Sequence, residues 1–250
     1  MMRRFRQTPV LPGERLDDLQ RSGMFLLQRP DAFCFGTDSV LLAAFAAQGR
    51  AGNFRAADLG SGSGVLPLLV CGRCCGARFD AVEIDPQAAD RAARSVRISG
   101  LEGRVRVHAV PLEAAPALLG YGAFDLVVSN PPYARPGAQH ARPERDAAVR
   151  ESSTRIDSVC QSAAALLKNG GSFCLCFTAE RLAALFAALA GARLEAKRMR
   201  FVHGAPGREA KIVLLEAKRG ARPGLRVLPP LLLRDGQGCE TDEVRDIYLR

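Results

Sequence analysis

The sequence predicts an α/β fold in which helices cover both faces of a mostly parallel sheet that closes with an antiparallel hairpin. Between residues 56 and 190, short apolar runs typical of buried strands alternate with Ala- and Leu-rich segments of helical periodicity. This alternation is the pattern of a parallel sheet with crossover helices. Residues 193–202 and 209–216 then flank a His-Gly-Ala-Pro-Gly turn, which predicts the closing antiparallel pair.

Length and composition indicate a globular chain with a basic surface. The 250 residues are 48% hydrophobic, which fits one large domain or one domain with appendages. No apolar run approaches a membrane span, and no apolar stretch follows the charged residues 1–7 as it would in a signal peptide. We therefore expect a cytoplasmic protein. The net charge of +9 fits a polyanionic partner or a GC-rich coding bias that inflates arginine, and both interpretations stay open.

The first helix is predicted in the second half of residues 33–46, where the apolar spacing becomes helical. Thr37 or Asp38 would cap its amino terminus, where free N–H groups and the helix dipole favour an anionic group. The residues allow an ordinary capped helix or a helix end that faces a carboxylate.

The next segment predicts a strand, a Gly-rich turn and a helix. It reads Asp58-x-Gly60-x-Gly62-x-Gly64, and Val65 stands where a dinucleotide-binding turn needs its third glycine. A buried carboxylate at Asp58 would repel a pyrophosphate and attract an ammonium group. The segment therefore favours the amino-acid end of S-adenosylmethionine.

Glu83 lies at the end of the second predicted strand, residues 79–84. An acid about 20 residues beyond a Gly-rich turn is positioned to bond ribose hydroxyls, whereas the alternative is a solvated strand end. Asp85 and Pro86 should cap and begin the next helix. We favour the ribose interpretation because position and spacing agree.

The segment Asn130-Pro131-Pro132-Tyr133 follows a buried strand, residues 124–128. Ligands of open α/β sheets bind at the carboxyl ends of strands. Two prolines fix the backbone and leave outward-facing carbonyls, while the asparagine adds an acceptor and the tyrosine an aromatic face. The combination suits a planar –NH2 group, and the alternative is a plain Pro-Pro turn.

The remaining elements complete the alternation. The pattern predicts a third strand at residues 104–109 and a helix at residues 156–167. After a turn at Gly170-Gly171, it predicts a strand at residues 172–177 and a helix at residues 180–190. Residues 219–250 form a Pro/Gly-rich tail with a short helix near residues 242–248.

A long charged loop, residues 134–155, follows the Asn-Pro-Pro-Tyr segment. Loops of this length beside a site are usually functional, so its arginines are candidates for contacting a phosphate backbone or closing over a flipped base; a solvated loop is the alternative for each. The candidates are Arg135, Arg142, Arg145 and Arg150.

No metal site is expected. Cys71-x-x-Cys74-Cys75 lacks the second cysteine pair or nearby histidine pair of a zinc site, and His108, His140 and His203 have no metal-ligand spacing. Reduced, intracellular thiols are the expectation.

The Asp-Gly-rich motif, Glu83 and Asn130 to Tyr133 together resemble class I S-adenosylmethionine-dependent methyltransferases that act on amino nitrogens. Further segments are similar to the bacterial adenine-37 N6-methyltransferases of valine tRNA, which modify the adenine beside the anticodon. Those segments are Phe35-Gly36-Thr37-Asp38, Pro223-Gly224-Leu225, Leu228-Pro229-Pro230-Leu231 and Thr241-x-Glu243.

The resemblance implies a Rossmann-like fold with a mostly parallel seven-stranded sheet. Residues 1–50 would form a lead segment and helix on the cofactor site, residues 51–218 the methyltransferase domain, and residues 219–250 a tail packed on it. The implied partner is tRNA and the implied assembly a monomer, without membrane or metal.

The resemblance also implies roles for individual residues. Asn130 and the Pro131 carbonyl would bind the target amine, with Pro132 rigidifying the corner and Tyr133 stacking on the base. S-adenosylmethionine would be held by Phe35, Gly36, Thr37, Asp38, Asp58, Gly60, Ser61, Gly62, Gly64, Glu83, Ile84, Leu112 and Asn130.

Two positions depart from the family pattern. Pro111 stands where an acid usually contacts the cofactor adenine, so a backbone contact near Leu112 would have to substitute, and Arg150-Glu151-Ser152 replaces Arg-His-Glu. Two alternatives accompany the tRNA methyltransferase hypothesis. One is a protein glutamine N5-methyltransferase, and the other an RNA-binding protein that has lost catalysis.

Overall fold

The computed structural model describes residues 8–30, 35–131 and 156–249. The strands are β1 (Arg15–Asp18), β2 (Phe25–Gln28), β3 (Phe54–Leu59), β4 (Ala77–Glu83), β5 (Val105–Ala109), β6 (Phe124–Ser129), β7 (Leu167–Thr178), β8 (Leu194–His203), β9 (Ala210–Arg219), β10 (Arg226–Val227) and β11 (Leu231–Leu232). The helices are α1 (Thr37–Ala47), α2 (Val65–Arg73), α3 (Pro86–Ile98), α4 (Ala115–Leu119), α5 (156–166), α6 (Leu182–Gly191) and α7 (Asp242–Tyr248).

The central sheet has the order β10-β8-β9-β7-β6-β3-β4-β5. Strands β3 to β7 pair in parallel, and β9 lies antiparallel between β7 and β8. The predicted doubly wound sheet with a terminal antiparallel hairpin is confirmed. Within the described residues the sheet has nine strands rather than seven, because β10 and β11 of the tail pair in parallel with β8.

A hydrophobic core covers each face of the sheet. One contains the apolar sides of α1 and α2, and the other is formed with α4, α5 and α6. Cys174 and Cys176 are fully buried on β7, and burial raises the pKa of the Cys174 thiol to about 12. Packing in the two cores holds the strands in place, and this fixes the positions at which the loops after the strands begin.

The amino-terminal strands β1 and β2 form a separate antiparallel hairpin, which sequence patterning did not reveal. Its β2 edge is bonded to helix α3: the Phe25 N–H donates to Ser99 Oγ at 3.0 Å and the Leu27 N–H to Ser95 Oγ at 2.9 Å. Side-chain hydroxyls thus accept the hydrogen bonds that a neighbouring strand would accept elsewhere.

Strand β7 begins earlier than predicted. Gly170 and Gly171 lie within it, but pairing with β6 jumps from Leu167 to Ser172, so the expected turn is a bulge. The φ of +80° at Gly170 explains the glycine, because other residues rarely adopt this backbone conformation.

The carboxyl-terminal helix α7 is capped at its start and fastened to the rest of the fold at its end. Thr241 caps its start by accepting from the Val244 N–H, and the Ile247 carbonyl accepts from Arg21 at 2.9 Å and from Arg73 at 2.7 Å. Within the described residues, no helix is long and apolar enough to cross a bilayer.

Candidate active site

A cavity of about 250 Å³ lies at the carboxyl ends of β3, β4 and β6. Parallel α/β sheets bind ligands at this edge. It is lined by Gln28, Arg29, Phe35, Ser39, Gly60, Ser61, Gly62, Ser63, Val65, Leu66, Glu83, Asp85, Ala88, Arg91 and Asn130.

The Gly-rich turn after β3 forms one wall of the cavity. The N–H groups of Gly60 and Ser61 both donate to the Val82 carbonyl at 2.9 Å, which ties the turn to β4. Gly60 and Gly62 have φ values of +75° and +54°, and a side chain added at either would meet open space. Their glycine requirement therefore comes from backbone conformation.

Gly64 plays a different part in the turn. It caps α2 in the left-handed conformation, and a Cβ there would lie 3.1 Å from the Ala92 Cβ. Gly64 is absent from the cavity wall. Its left-handed backbone and the close approach of α3 both favour glycine at this position.

Glu83 joins the turn to the start of α3. One carboxylate oxygen accepts from the Gly62 N–H at 2.7 Å and the other from the Asp85 N–H at 2.9 Å. Asp85 caps α3 through the Gln87 N–H, with Pro86 next, as predicted. The neighbouring Ile84 is 59% exposed, so an apolar surface stands beside this carboxylate.

Asp58 is a fully buried carboxylate without a partner among the described residues. It is 0% exposed, and neither carboxylate oxygen has a hydrogen bond. Burial, and then the nearby Glu83 charge, raise the pKa of Asp58 well above its usual value. Asp58 is not itself a wall residue but lies two positions before Gly60. A cation in the cavity would relieve this unfavourable burial.

Asn130 follows β6, and only one end of its side-chain amide is hydrogen-bonded within the described residues. Its Nδ2 donates to Ser39 Oγ at 3.0 Å, whereas its buried Oδ1 has no partner among the described residues. The preceding Ser129 donates through Oγ to the Leu59 carbonyl at 2.7 Å, fixing β6 against β3. An acceptor is thus available at the cavity.

The start of α1 differs in part from the prediction. Gly36 is the N-cap and no side chain caps the helix, so the prediction that Thr37 or Asp38 caps it is wrong. Gly36 has extended backbone angles, and the helix therefore begins one residue earlier than a Thr37 cap would require. Phe35 lines the cavity, but Thr37 and Asp38 do not.

Leu112 also lies off the cavity wall. It begins a short 3₁₀ turn, residues 112–114, capped by the exposed Pro111, and packs on the second core. The remaining predicted residues, Pro132, Tyr133, Arg135, Arg142, Arg145 and Arg150, lie outside the described residues.

Several cavity residues escaped the sequence analysis. Ser39 lies on α1 facing Asn130, and Gln28 ends the hairpin strand β2, accepting from the Phe35 N–H at 2.9 Å. Arg91 is only 7% exposed on α3. A charged residue within a helical pattern normally indicates the solvent face, so no local signal distinguished it. Among the described residues, no group of histidine, cysteine or acidic side chains could hold a metal ion.

Comparison with known proteins gives consistent results. The methyltransferase small domain model matches residues 19–184. A tRNA1(Val) (adenine(37)-N6)-methyltransferase of Yersinia pestis (strain Pestoides F) is 31% identical over 255 aligned residues, covering 100% of this chain and 99% of that protein. The enzyme of the same name from Enterobacter sp. (strain 638) is 36% identical over 163 residues, 64% of this chain and 65% of the relative, slightly under two thirds of its length.

Solved structures share the fold. A crystal structure described as a predicted O-methyltransferase from Agrobacterium tumefaciens superposes with a TM-score of 0.70 at 26% identity, covering 85% of this chain and 96% of that one. A geranyl diphosphate methyltransferase solved with S-adenosylmethionine gives a TM-score of 0.52 at 14% identity, covering 72% and 85%.

Proposed function

The chain belongs to the methyltransferase small domain family, and we propose that it transfers a methyl group from S-adenosylmethionine to N6 of an adenine in tRNA. The observation that carries the proposal lies at one edge of the sheet. Asn130 Oδ1, an acceptor with no partner among the described residues, lies beside the Gly-rich turn and the carboxylates of the cavity. The names of the relatives support adenine 37 of a valine tRNA as the target.

The cavity suits the proposed methyl donor. S-adenosylmethionine carries an ammonium group, which would be attracted by Asp58, a carboxylate with no partner in the described part of the chain. Glu83 would accept from the ribose hydroxyls, and the exposed Ile84 offers an apolar surface to the adenine ring. When bound there, the cofactor supplies an electrophilic methyl group on its sulfonium.

The other residues that the resemblance assigns to the cofactor fall into two groups, those that line the cavity and those that do not. Phe35, Gly60, Ser61 and Gly62 line the cavity, so direct contact is proposed for them. For Gly36, Thr37, Asp38, Gly64 and Leu112 we propose an indirect role: they hold the helix start, the turn and the 3₁₀ segment that surround the cofactor.

Asn130 and Pro131 would act directly on the substrate amine. An adenine amine is a poor nucleophile because its lone pair is delocalised into the ring. Asn130 Oδ1 and the Pro131 carbonyl would accept its two hydrogens, favour pyramidal nitrogen and direct the lone pair toward the methyl donor. Orientation then supplies most of the rate enhancement, and Tyr133 would stack on the base.

The target base must leave any stack to reach this edge, as bases of single-stranded RNA loops do. We propose that Arg135, Arg142, Arg145 and Arg150 contact the RNA near that base. The protein would act as a monomer in the cytoplasm, on RNA and without a metal ion.

Labelled-methyl transfer tests the proposal. The protein is incubated with S-adenosylmethionine carrying a labelled methyl group and either total tRNA lacking this modification or a protein extract, and the products are digested to nucleosides and amino acids. We expect label in N6-methyladenosine from tRNA. Label in N5-methylglutamine would establish the protein glutamine methyltransferase instead, and no cofactor binding by the folded chain would favour the RNA-binding protein without catalysis.

A further inference from the structure

A second concave surface, here called the basic groove, lies at the opposite end of the sheet from the cavity. It has a volume of about 390 Å³ and is lined by Gln48, Lys197, Arg198, Glu216, Lys218, Gly224 and Arg226. Lys218 pairs with Ser172 at the beginning of the regular part of β7, whereas the carboxyl end of β7 pairs with Ile212. The groove therefore belongs to the amino-terminal edge of the parallel strands.

The basic groove contains more positive than negative charge. Glu216 is the one carboxylate among its lining residues, and it already accepts from Arg198 at 2.8 Å and lies 3.5 Å from Arg50. Glu216 therefore has no free charge to neutralise the other cations.

Three further cations have no carboxylate partner within 4.0 Å in the described part of the chain: Lys197, Lys218 and Arg226. Lys197 donates to the Arg222 carbonyl at 2.9 Å, which leaves its charge uncompensated. Glu195 is opposite Lys218 in the strand register, but the two form no ion pair. Like charges held together in this way are unfavourable unless an anion accompanies them.

Helix α1 connects the basic groove to the active site. Ser39 near its start contacts Asn130, and Gln48 at its end accepts from Arg198 at 2.6 Å. Nine residues of helix place the groove about 14 Å beyond Asn130. Successive phosphates along one strand of a duplex lie a few ångströms apart along its axis, so this distance corresponds to a few nucleotides, within the span of a stem that presents one flipped base.

We propose that the basic groove binds the phosphate backbone of the RNA substrate, away from the methylated base. The inference rests on the proposed function and extends it to a second contact surface. The cations are distributed over β8, β9 and β10 in an open groove, which suits successive phosphodiesters rather than one small anion. Such contacts position the RNA without reading its sequence.

The test is a triple variant, Lys197→Gln, Lys218→Gln and Arg226→Gln, titrated with unmodified tRNA at several salt concentrations. Each lost phosphate contact lowers the slope of log affinity against log salt by about 0.7 to 0.9. We expect the slope to fall by about two and the affinity for tRNA to fall about tenfold or more at low salt. Unchanged S-adenosylmethionine affinity by calorimetry shows that the variant is folded.

A second triple variant controls for net charge. Arg78, Arg97 and Arg106 lie at the other edge of the sheet, on β4, α3 and β5, and their replacement by glutamine removes the same three charges. The control should keep most of the tRNA affinity. Equal losses in the two triple variants would overturn the groove assignment, because a general effect of net charge would then explain both.

Two further outcomes separate the possible errors. If inorganic phosphate raises the melting temperature of the parent protein but not of the groove variant, while tRNA affinity is equal in both, the groove binds a small anion and the proposal fails.

If the parent protein methylates no adenine in tRNA yet the groove variant alone loses tRNA affinity, the proposed reaction is wrong and the RNA surface stands.

Discussion

Asn130 presents the two ends of one amide to different surroundings. Ser39 Oγ holds the nitrogen at 3.0 Å, and the oxygen has no partner among the described residues. We expect Asn130→Ala to lower the methyl-transfer rate at least about a hundredfold, comparable to the loss of one positioned polar group in an active site. S-adenosylmethionine affinity should change little, since the glycine turn and Glu83 remain.

Single-turnover transfer assays and calorimetry measure the two effects. Ser39→Ala is the matched control: it removes the amide's partner but keeps the acceptor, so its rate should lie between those of the parent and Asn130→Ala. Retained methylation in Asn130→Ala would contradict the role proposed for this side chain.

The proposed cofactor contact of Asp58 would link cofactor affinity to stability. Because its folded-state pKa is raised, the unfolded chain ionises at a lower pH than the folded chain, and stability without cofactor falls as the pH rises above the usual carboxyl range. We expect Asp58→Asn to reduce this dependence and to raise the melting temperature at neutral pH.

The same change should weaken S-adenosylmethionine binding about tenfold or more, because the ammonium loses its charged partner. Thermal melts from pH 4 to pH 8 and calorimetry test both effects. A variant less stable at every pH, or one with full cofactor affinity, would exclude the charge-burial explanation.

At the scale of single residues, sequence located the polar groups at strand ends. Asp58, Glu83 and Asn130 each follow an apolar run, and that position alone brought them to one sheet edge. Ser39, Gln28 and Arg91 could not be found in the same way, because their places at the cavity depend on how α1, β2 and α3 pack.

Among the elements, the amino-terminal hairpin is joined to α3 by a buried ion pair as well as by the hydrogen bonds of β2. Arg94 of α3 donates to both oxygens of Glu14, at 2.7 and 2.5 Å, and the two side chains are 8% and 4% exposed. The hydrogen bonds that Glu14 accepts from Arg94 and, to a smaller extent, from the Leu11 N–H lower the pKa of Glu14. Burial acts in the opposite direction and raises it. The pair holds the chain next to β1 on α3.

Glu14→Gln should lower the free energy of unfolding by about 1–3 kcal/mol at neutral pH, because it leaves a buried guanidinium with a weaker partner. Asp90, 2.7 Å from Arg94, limits the loss. A carboxyl group with a lowered pKa contributes stability at neutral pH and loses it as the pH falls through its folded-state pKa, so parent and variant should converge in acid.

Denaturant titrations at pH 7 and pH 3.5 measure this difference. Arg15→Gln removes the exposed pair with Asp17, in which Arg15 is 53% exposed, and should cost under about 1 kcal/mol. Equal effects of the two substitutions would show that the Glu14 pair contributes no more than a surface contact.

The hairpin also shows where pattern analysis of elements stops. Residues 15–18 include one apolar side chain among charged ones, too weak an alternation to predict a strand. Leu26 and Leu27 are both 0% exposed, although adjacent strand residues point to opposite sides. Burial of both results from packing against other parts of the fold, which sequence periodicity does not encode.

Across the whole molecule, the tail completes the first core. Val244 of α7 is 3% exposed within that core, whereas Val227 of β10 is 60% exposed. We expect Val244→Ala to destabilise the protein by about 1–3 kcal/mol through lost burial and a cavity, and Val227→Ala to have little effect. Melting temperatures of the two variants test this, and similar values would mean that α7 contributes little to the core.

The overall architecture was predictable because alternating strands and helices allow few arrangements. The tail strands were not, since β10 and β11 have two residues each and gain their order only from pairing with β8. The bidentate pair of Arg200 with Glu243 adds a further connection between tail and sheet.

The Ile247 carbonyl, held by Arg21 and Arg73, has a consequence for synthesis on the ribosome. Arg21 emerges 226 positions before its partner, which at about 5–20 residues per second means a delay of about 10–45 s. Phe35 lines both the active-site cavity and the smaller cavity that contains Arg21 and Ile247. The surroundings of Phe35 are therefore completed only after Ile247 has been synthesised, long after the residues that line the larger cavity.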